Sequence, residues 1–300
     1  MAWDWELLAG PDTITEGPVW DGAGLIFSAI ARNEIRRYDP TTGEITVLHR
    51  DTNGANGLQL GPDGRLYACE GDGRAIVRYG QDGRRELLAD AFQGHRFNSP
   101  NDLALDTDGS VWFTDPRYRD DLPPRKLDHD SVYRLDPPSD GTAWSVTRLT
   151  FDTTRPNGLL IAADRRTLYV AQSDYAPGSV RQLRAYPIAP DRSLGAMRVL
   201  HDFGEARGID GMCLDEAGNI VAACGWELSG PGSRIAVFAP DGTVLEEHPL
   251  PDGRPSNCAF GGPDLADLYV TTLSGHLYRV RGTGRRSLPG PPANSPMTGV

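Results

Sequence analysis

The sequence predicts an all-β chain folded as a six-bladed β-propeller of four-stranded antiparallel blades, with an N-terminal strand completing the last blade. Three observations carry this. A polar residue heading a short apolar run recurs six times, at Glu16 ("EGPVW"), Asn56 ("NGLQL"), Asn101 ("NDLAL"), Asn157 ("NGLLI"), Asp210 ("DGMCL") and Asn257 ("NCAF"), at spacings of 40 to 56 residues. Each run leads into a turn rich in Asp, Gly or Asn, which tolerate the positive φ of hairpins. Finally, 35 Gly and 24 Pro beside only 39% hydrophobic residues suit many short strands better than helices.

The remaining strands follow in order. A second strand reads "LIFSAI", "LYACE", "VWFTD", "LYVAQ", "IVAAC" and "LYVTT" in successive units. A third reads "IRRYD", "IVRYG", "VYRLD", "LRAYP", "IAVFA" and "LYRVR". Both are dominated by β-branched and aromatic residues. A more polar fourth strand appears in five units ("ITVLHR", "RELLAD", "SVTRLT", "MRVLHD", "VLEEHP") but not after "LYRVRGTGR". The N-terminal "DWELLAG" has the character of the missing one, so the two ends of the chain are expected to share the sixth blade and close the ring. An open solenoid would leave that split unit unexplained. Residues 1–284 are therefore read as one propeller domain. Residues 285–300, "RRSLPGPPANSPMTGV", carry too few apolar side chains to fold and are expected to form a disordered tail.

Composition narrows the partners. A net charge of -11 with no basic run disfavours nucleic acid and anionic membrane surfaces. No apolar stretch approaches the about 20 residues of a membrane helix. The four cysteines form no C-x-x-C pair, and "MAWDWELLAG" lacks the basic and apolar regions of a signal peptide, which points to a reduced, cytoplasmic chain. The single lysine, Lys126, weakens any Schiff-base chemistry. A small molecule or a cation is the expected partner, and a monomer or weak homo-oligomer the expected state.

In a propeller the first strand of each blade lines the central channel, so the six heading residues should meet at one mouth. Two acids, Glu16 and Asp210, confined with four amides are costly unless paired, because buried like charges repel. One divalent cation removes that cost. The all-oxygen set suits calcium first, with magnesium, manganese or zinc as alternatives. The six histidines form no H-x-H or H-E-x-x-H, which argues against a nitrogen and sulfur zinc cage. Asp63, Asp106, Asp108, Asp215 and Asp241 fall in hairpin turns and are read as turn formers.

The working face is expected on the side of the longer connections, residues 114–131, 172–179 and 224–233, the longest walling or lidding the pocket. "GHRFNSP" runs into Asn101, making His95, Arg96 and Asn98 candidates for holding a polar ligand. Asp115, Tyr118, Asp174 and Trp226 are further candidates on that face.

With "EGPVW", "RFNSPNDLALDTDGSVWFTDP", "RPNGLLIAADRRTLYVAQSD", "GIDGMCLDEAGNI" and "SNCAFGGPDLADLYVTT" in this order, the chain resembles the regucalcin/gluconolactonase/luciferin-regenerating-enzyme-like family from about Thr15 to Arg281. The resemblance implies a divalent-metal-dependent lactonase that opens sugar lactones to aldonic acids. It makes Glu16, Asn157 and Asp210 metal ligands, and Asn101 a ligand to metal or to substrate. Arg96 stands five residues before Asn101, farther than the substrate-binding arginine of some relatives. The implied mechanism has the metal polarise the lactone carbonyl while Asp210 activates water or attacks directly. The absence of G-x-S-x-G disfavours a serine hydrolase. The alternatives are a metal-dependent phosphotriesterase or arylesterase on the same propeller, and a non-enzymatic calcium-binding protein.

Overall fold

A computed structural model describes residues 3–118, 124–139, 141, 143–251 and 253–288. Six four-stranded antiparallel sheets make up the chain, a six-bladed β-propeller. From the inside outwards, blade one is Thr15–Trp20, Leu25–Ala29, Glu34–Tyr38 and Ile45–Arg50. Blade two begins at Ala55–Leu60, blade three at Leu103–Leu105, blade four at Pro156–Ile161 and blade five at Ile209–Leu214. Blade six begins at Pro255–Gly261 and ends on the N-terminal strand Glu6–Ala9, which pairs antiparallel with Leu277–Val280. The inner strands contact one another in a closed cycle, so the ring has no open seam.

Each seam between blades is filled by its own apolar cluster. Trp112 and Val132 of blade three meet Leu159, Leu168 and Tyr186 of blade four. Leu25 and Phe27 of blade one meet Tyr269 and Leu277 of blade six. Alternating side chains on flat sheets leave each face complementary to its neighbour, and burial of aromatic and branched side chains stabilises by roughly 1.5–3 kcal/mol each. Hydroxyls add polar stitches near the channel. Ser28 donates to the carbonyl of Asn56, Thr114 to that of Asn157 and Ser256 to that of Thr15, at 2.7–2.8 Å, each crossing to the next blade.

The N-terminal closure expected from "DWELLAG" is present and reinforced. Glu6 accepts from Arg279 at 2.7 Å, Trp5 donates its indole N–H to the Pro249 carbonyl at 2.8 Å, and Trp3 stacks on His248. The first residues of the expected tail stay on the propeller. Arg285 pairs with Asp215 and Glu246 at 2.6 Å, and the Ser287 N–H donates to the Leu265 carbonyl, so ion pairing and backbone bonds compensate for missing apolar content. Residues 289–300 of that tail lie outside the described residues. The segment 224–233, expected as a loop, is strand instead. Ile220–Trp226 and Ser229–Phe238 run on to a tight reversal, helped by Gly225, Gly230 and Gly232 at positive φ. Among the described residues no helix is long and apolar enough to cross a membrane.

Candidate active site at the channel mouth

The heading residues of the inner strands owe their direction to a repeated irregularity. Strand register slips between Glu16 and Val19, Ala55 and Leu58, Pro156 and Leu159, and Ile209 and Met212. A bulge bends the strand locally and re-aims the side chain it contains. Here it frees Glu16, Asn56, Asn157 and Asp210 from the flat pleat at the start of each strand. The backbones then approach so closely that the following position must stay small. A Cβ on Gly57 would lie 2.4 Å from Asp102 Oδ1 and 2.7 Å from Asp102 Cα, and one on Gly211 would lie 2.0 Å from Asn257 Cγ.

Glu16, Asn157 and Asp210 are each about 5–6% exposed, and Asn257 is 7% exposed. Burial pushes the Glu16 carboxyl well above the usual carboxylate range, and the charges of Asp210 and Asp102 push it further; bonds from the Gly17 N–H and the Asn257 amide oppose the rise. Asp210 is also raised by burial, against the pull of Arg207 and of the Asn157 amide. These mutual effects place Glu16, Asp210, Asn157 and Asn257 in one electrostatic neighbourhood. Asn101 belongs to the same layer, its carbonyl accepting from the Gly57 N–H at 2.8 Å and its N–H donating to the Thr114 carbonyl at 2.9 Å.

Two charged residues of this site escaped the sequence reading. Asp102 stands one position after Asn101, where the other blades carry Gly17, Gly57, Gly158, Gly211 and Cys258. It is buried and accepts from the Leu103 N–H at 2.9 Å. Burial first, and then the Asp210 charge, push its carboxyl up to about 7. The unit-by-unit alignment held that signal, since an acid replaces glycine there. Arg207 is the second. Its guanidinium is 6% exposed, pairs with the Asp210 carboxylate, and donates to the carbonyls of Gly225 at 2.8 Å and Pro255 at 3.0 Å. No repeat marks Arg207, so only the fold reveals it.

The remaining candidates divide. Tyr118 joins the mouth: its hydroxyl donates to the Arg155 carbonyl at 3.1 Å and its ring lies 6.1 Å from that of Tyr175, which Arg207 faces at 6.0 Å. Asn98 is fully buried and its amide donates to the carbonyls of Asp115 and His129 at 3.2 Å and to Asp130 at 3.3 Å. Asp115, pushed up to about 7 by burial, accepts the Asn98 and Ser99 N–H groups at 2.8 Å. Together they brace the turn that presents Asn101. His95 and Arg96 are exposed on a small hairpin with Ala91 and Phe92, and Arg96 donates to the Gly73 carbonyl at 2.5 Å and lies 3.4 Å from Asp90. Asp174 caps its own loop through Ala176 and Ser179, and Trp226 lies under Arg254 at 5.2 Å. Residues 119–123, the centre of the expected lid, lie outside the described residues. The turn acids do hold turns, as when Asp215 accepts from the N–H groups of Ala217 and Asn219.

Among the described residues no three His, Cys, Asp or Glu side chains are close enough to form a ready-made metal cage. The mouth instead brings the acids Glu16, Asp102 and Asp210 together with the amides of Asn157 and Asn257.

A propeller with an acid and amide ring at one mouth defines the class. The sequence profile of the SMP-30/Gluconolactonase/LRE-like region matches residues 14–274, and the chain belongs to this family. Over 92% of its length it is 34% identical to a gluconolactonase of Zymomonas mobilis, covering 80% of that protein. Over 87% it is 31% identical to a pentonolactonase of Haloferax volcanii, covering 81% of that protein. Among solved structures it resembles a gluconolactonase of Xanthomonas campestris with a TM-score of 0.80 and 32% identity, covering 93% of this chain and 89% of that one. The fold is shared with a calcium-binding regucalcin of Agrobacterium tumefaciens, with a TM-score of 0.75, 20% identity and coverage of 95% and 96%.

Proposed function

We propose that the channel mouth is the catalytic centre of a sugar lactonase that opens an aldonolactone to the aldonic acid. The observation that carries the reading is the convergence of Glu16, Asn157 and Asp210 from three blades into one buried, electrostatically coupled site. The lactonase relatives, similar along most of the chain, supply the substrate class.

The donor set fits a divalent cation. Buried acids whose charges repel, as that of Asp210 repels Glu16 and Asp102, suit a site that a cation neutralises, and oxygen-only donors suit hard ions, calcium first. Glu16, Asn157 and Asp210 would hold it, with Asn101 beside them. When bound, the cation would supply positive charge where the carbonyl oxygen gains negative charge during attack.

The side chains account for the rest. Arg207 bonds one oxygen of Asp210 and favours its ionised form, in which the carboxylate can take a proton from the attacking water. Water adds to the carbonyl carbon as the C=O π bond opens; when that bond re-forms the ring C–O bond breaks, the ring oxygen takes the proton held by Asp210, and the acid product ionises. The buried neighbourhood strengthens each charge interaction relative to open water. Tyr118 and Tyr175 flank the mouth, where a polyhydroxylated ring can lie against their faces.

Proton release from a panel of five- and six-membered sugar lactones tests the reading, with chelator-treated protein, protein reloaded with calcium, magnesium, manganese or zinc, and the Asp210→Asn variant. Turnover that requires the cation and falls at least 100-fold in Asp210→Asn is expected. A rate no higher than spontaneous hydrolysis for every lactone and cation would refute it.

A further inference from the structure

Two cysteines that play no part in the site described above lie in contact. Cys213 on the inner strand of blade five and Cys258 on the inner strand of blade six bring their sulfurs to 3.7 Å, although 45 residues separate them. They sit in the apolar seam between these blades, with Val221, Leu250, Phe260 and Val270. The Cys258 thiol also donates to the Val221 carbonyl at 3.3 Å. Cys258 is 2% exposed, whereas Cys213 keeps partial exposure, so a small reagent reaches the pair from the Cys213 side. Cys69 and Cys224 are buried in the second strands of blades two and five.

We propose that Cys213 and Cys258 are a peroxide-reactive dithiol whose disulfide clasps blade five to blade six. The Cys213 thiolate attacks one oxygen of hydrogen peroxide. The S–O bond forms as the O–O bond breaks, giving a sulfenic acid and hydroxide, which takes up the released proton to become water. Cys258 then attacks the Cys213 sulfur; the S–S bond forms, the S–O bond breaks and a second water leaves with the Cys258 proton. Two thiols lose two electrons and two protons in all, and one peroxide becomes two waters. Cys258, the more buried of the two, is the resolving partner; its bond to Cys213 and then burial hold its thiol well above the ordinary thiol range. The sulfurs must close from 3.7 Å to about 2.05 Å for the bond to form. The clasp closes the chain segment that holds the other three strands of blade five, and so restrains that blade in the unfolded chain.

The test uses the full chain treated with a small excess of hydrogen peroxide, followed by thiol counting under denaturing conditions, peptide mass mapping and thermal melting. The expected result is a fall from four free thiols to two, one linked peptide pair containing Cys213 and Cys258, and a Tm about 5 °C higher. Dithiothreitol should reverse all three. The Cys69→Ser/Cys224→Ser variant should form the same link, and Cys213→Ser should not. Mapping of the unsubstituted chain decides the matter even where a variant fails to fold. A thiol count that stays at four, a sulfinic acid at Cys213 without a link, or links through other cysteines would overturn the dithiol. An unchanged or lower Tm in the linked form would overturn the clasp.

Discussion

Replacing Arg207 by Met tests whether the site is held by charge from within. The guanidinium is 6% exposed, pairs with an equally buried Asp210, and satisfies the carbonyls of Gly225 and Pro255. Met matches much of the volume but leaves the Asp210 carboxylate facing Glu16 and Asp102 with no paired cation, although the charge of Arg254 still acts on it. Breaking one side of a buried pair costs about 3–5 kcal/mol, because the surviving charge keeps its desolvation penalty. At about 2 °C per kcal/mol for a chain of this size, Tm should fall by roughly 6–10 °C in cation-free buffer. Removing the orphaned charge should return part of the loss, so Arg207→Met/Asp210→Asn should be more stable than Arg207→Met alone, by about 1–3 kcal/mol. Urea unfolding of the four proteins of this cycle, in chelator, supplies the measurement. A cost below about 1 kcal/mol for Arg207→Met, or strict additivity in the double variant, would refute the argument that Arg207 neutralises the ring.

Further outcomes follow from the same geometry. Glu16, Asp102 and Asp210 are all raised by folding, so the native state binds protons that the unfolded chain has already released. Cation-free protein should therefore lose stability as pH rises from about 4 through about 7, and calcium should flatten that slope in a series of melts; a Tm rising with pH across this window would contradict it. Gly57→Ala places a Cβ against Asp102 and the Asn101 carbonyl, and should cost about 1–3 kcal/mol by urea denaturation while lowering kcat/KM. Asn98→Ala removes three donated bonds from a fully buried brace and should destabilise by about 2 kcal/mol; an unchanged urea midpoint would show the brace to be dispensable.

The sequence made the ring legible because a propeller repeats its local chemistry. Each unit must turn a hairpin and bury both sheet faces, and five of the six shift register where the inner strand begins, so Glu16, Asn56, Asn157, Asp210 and Asn257 fall at equivalent places in the text. Asp102 was readable by the same alignment, as an acid where Gly57 and Gly211 stand, yet it hid behind the more conspicuous Asn101. Arg207 left no such trace: an arginine three residues before an aspartate is ordinary until the fold buries both. The stretch from His95 to Pro100 is legible only in part. Its polar residues suggest a ligand, and the fold adds a bracing role that the sequence does not show: the Asn98 amide nitrogen donates to Asp115, His129 and Asp130, while its amide oxygen has no partner among the described residues.

The pairing of Glu6 with Arg279 spans 273 residues, and it sets the order in which this molecule can be made. Glu6–Ala9 can find its place only once Leu277–Val280 has been made, so the sixth blade is completed only after the strands of the other five are in the chain. Once the two ends meet, no blade is terminal: strain applied at either end of the chain is carried into a continuous circle instead of peeling a single sheet away. New chain ends cut into an exposed hairpin turn, with Glu6–Ala9 joined to Leu277–Val280 through a short linker, would move that last closing event to another seam of the same ring.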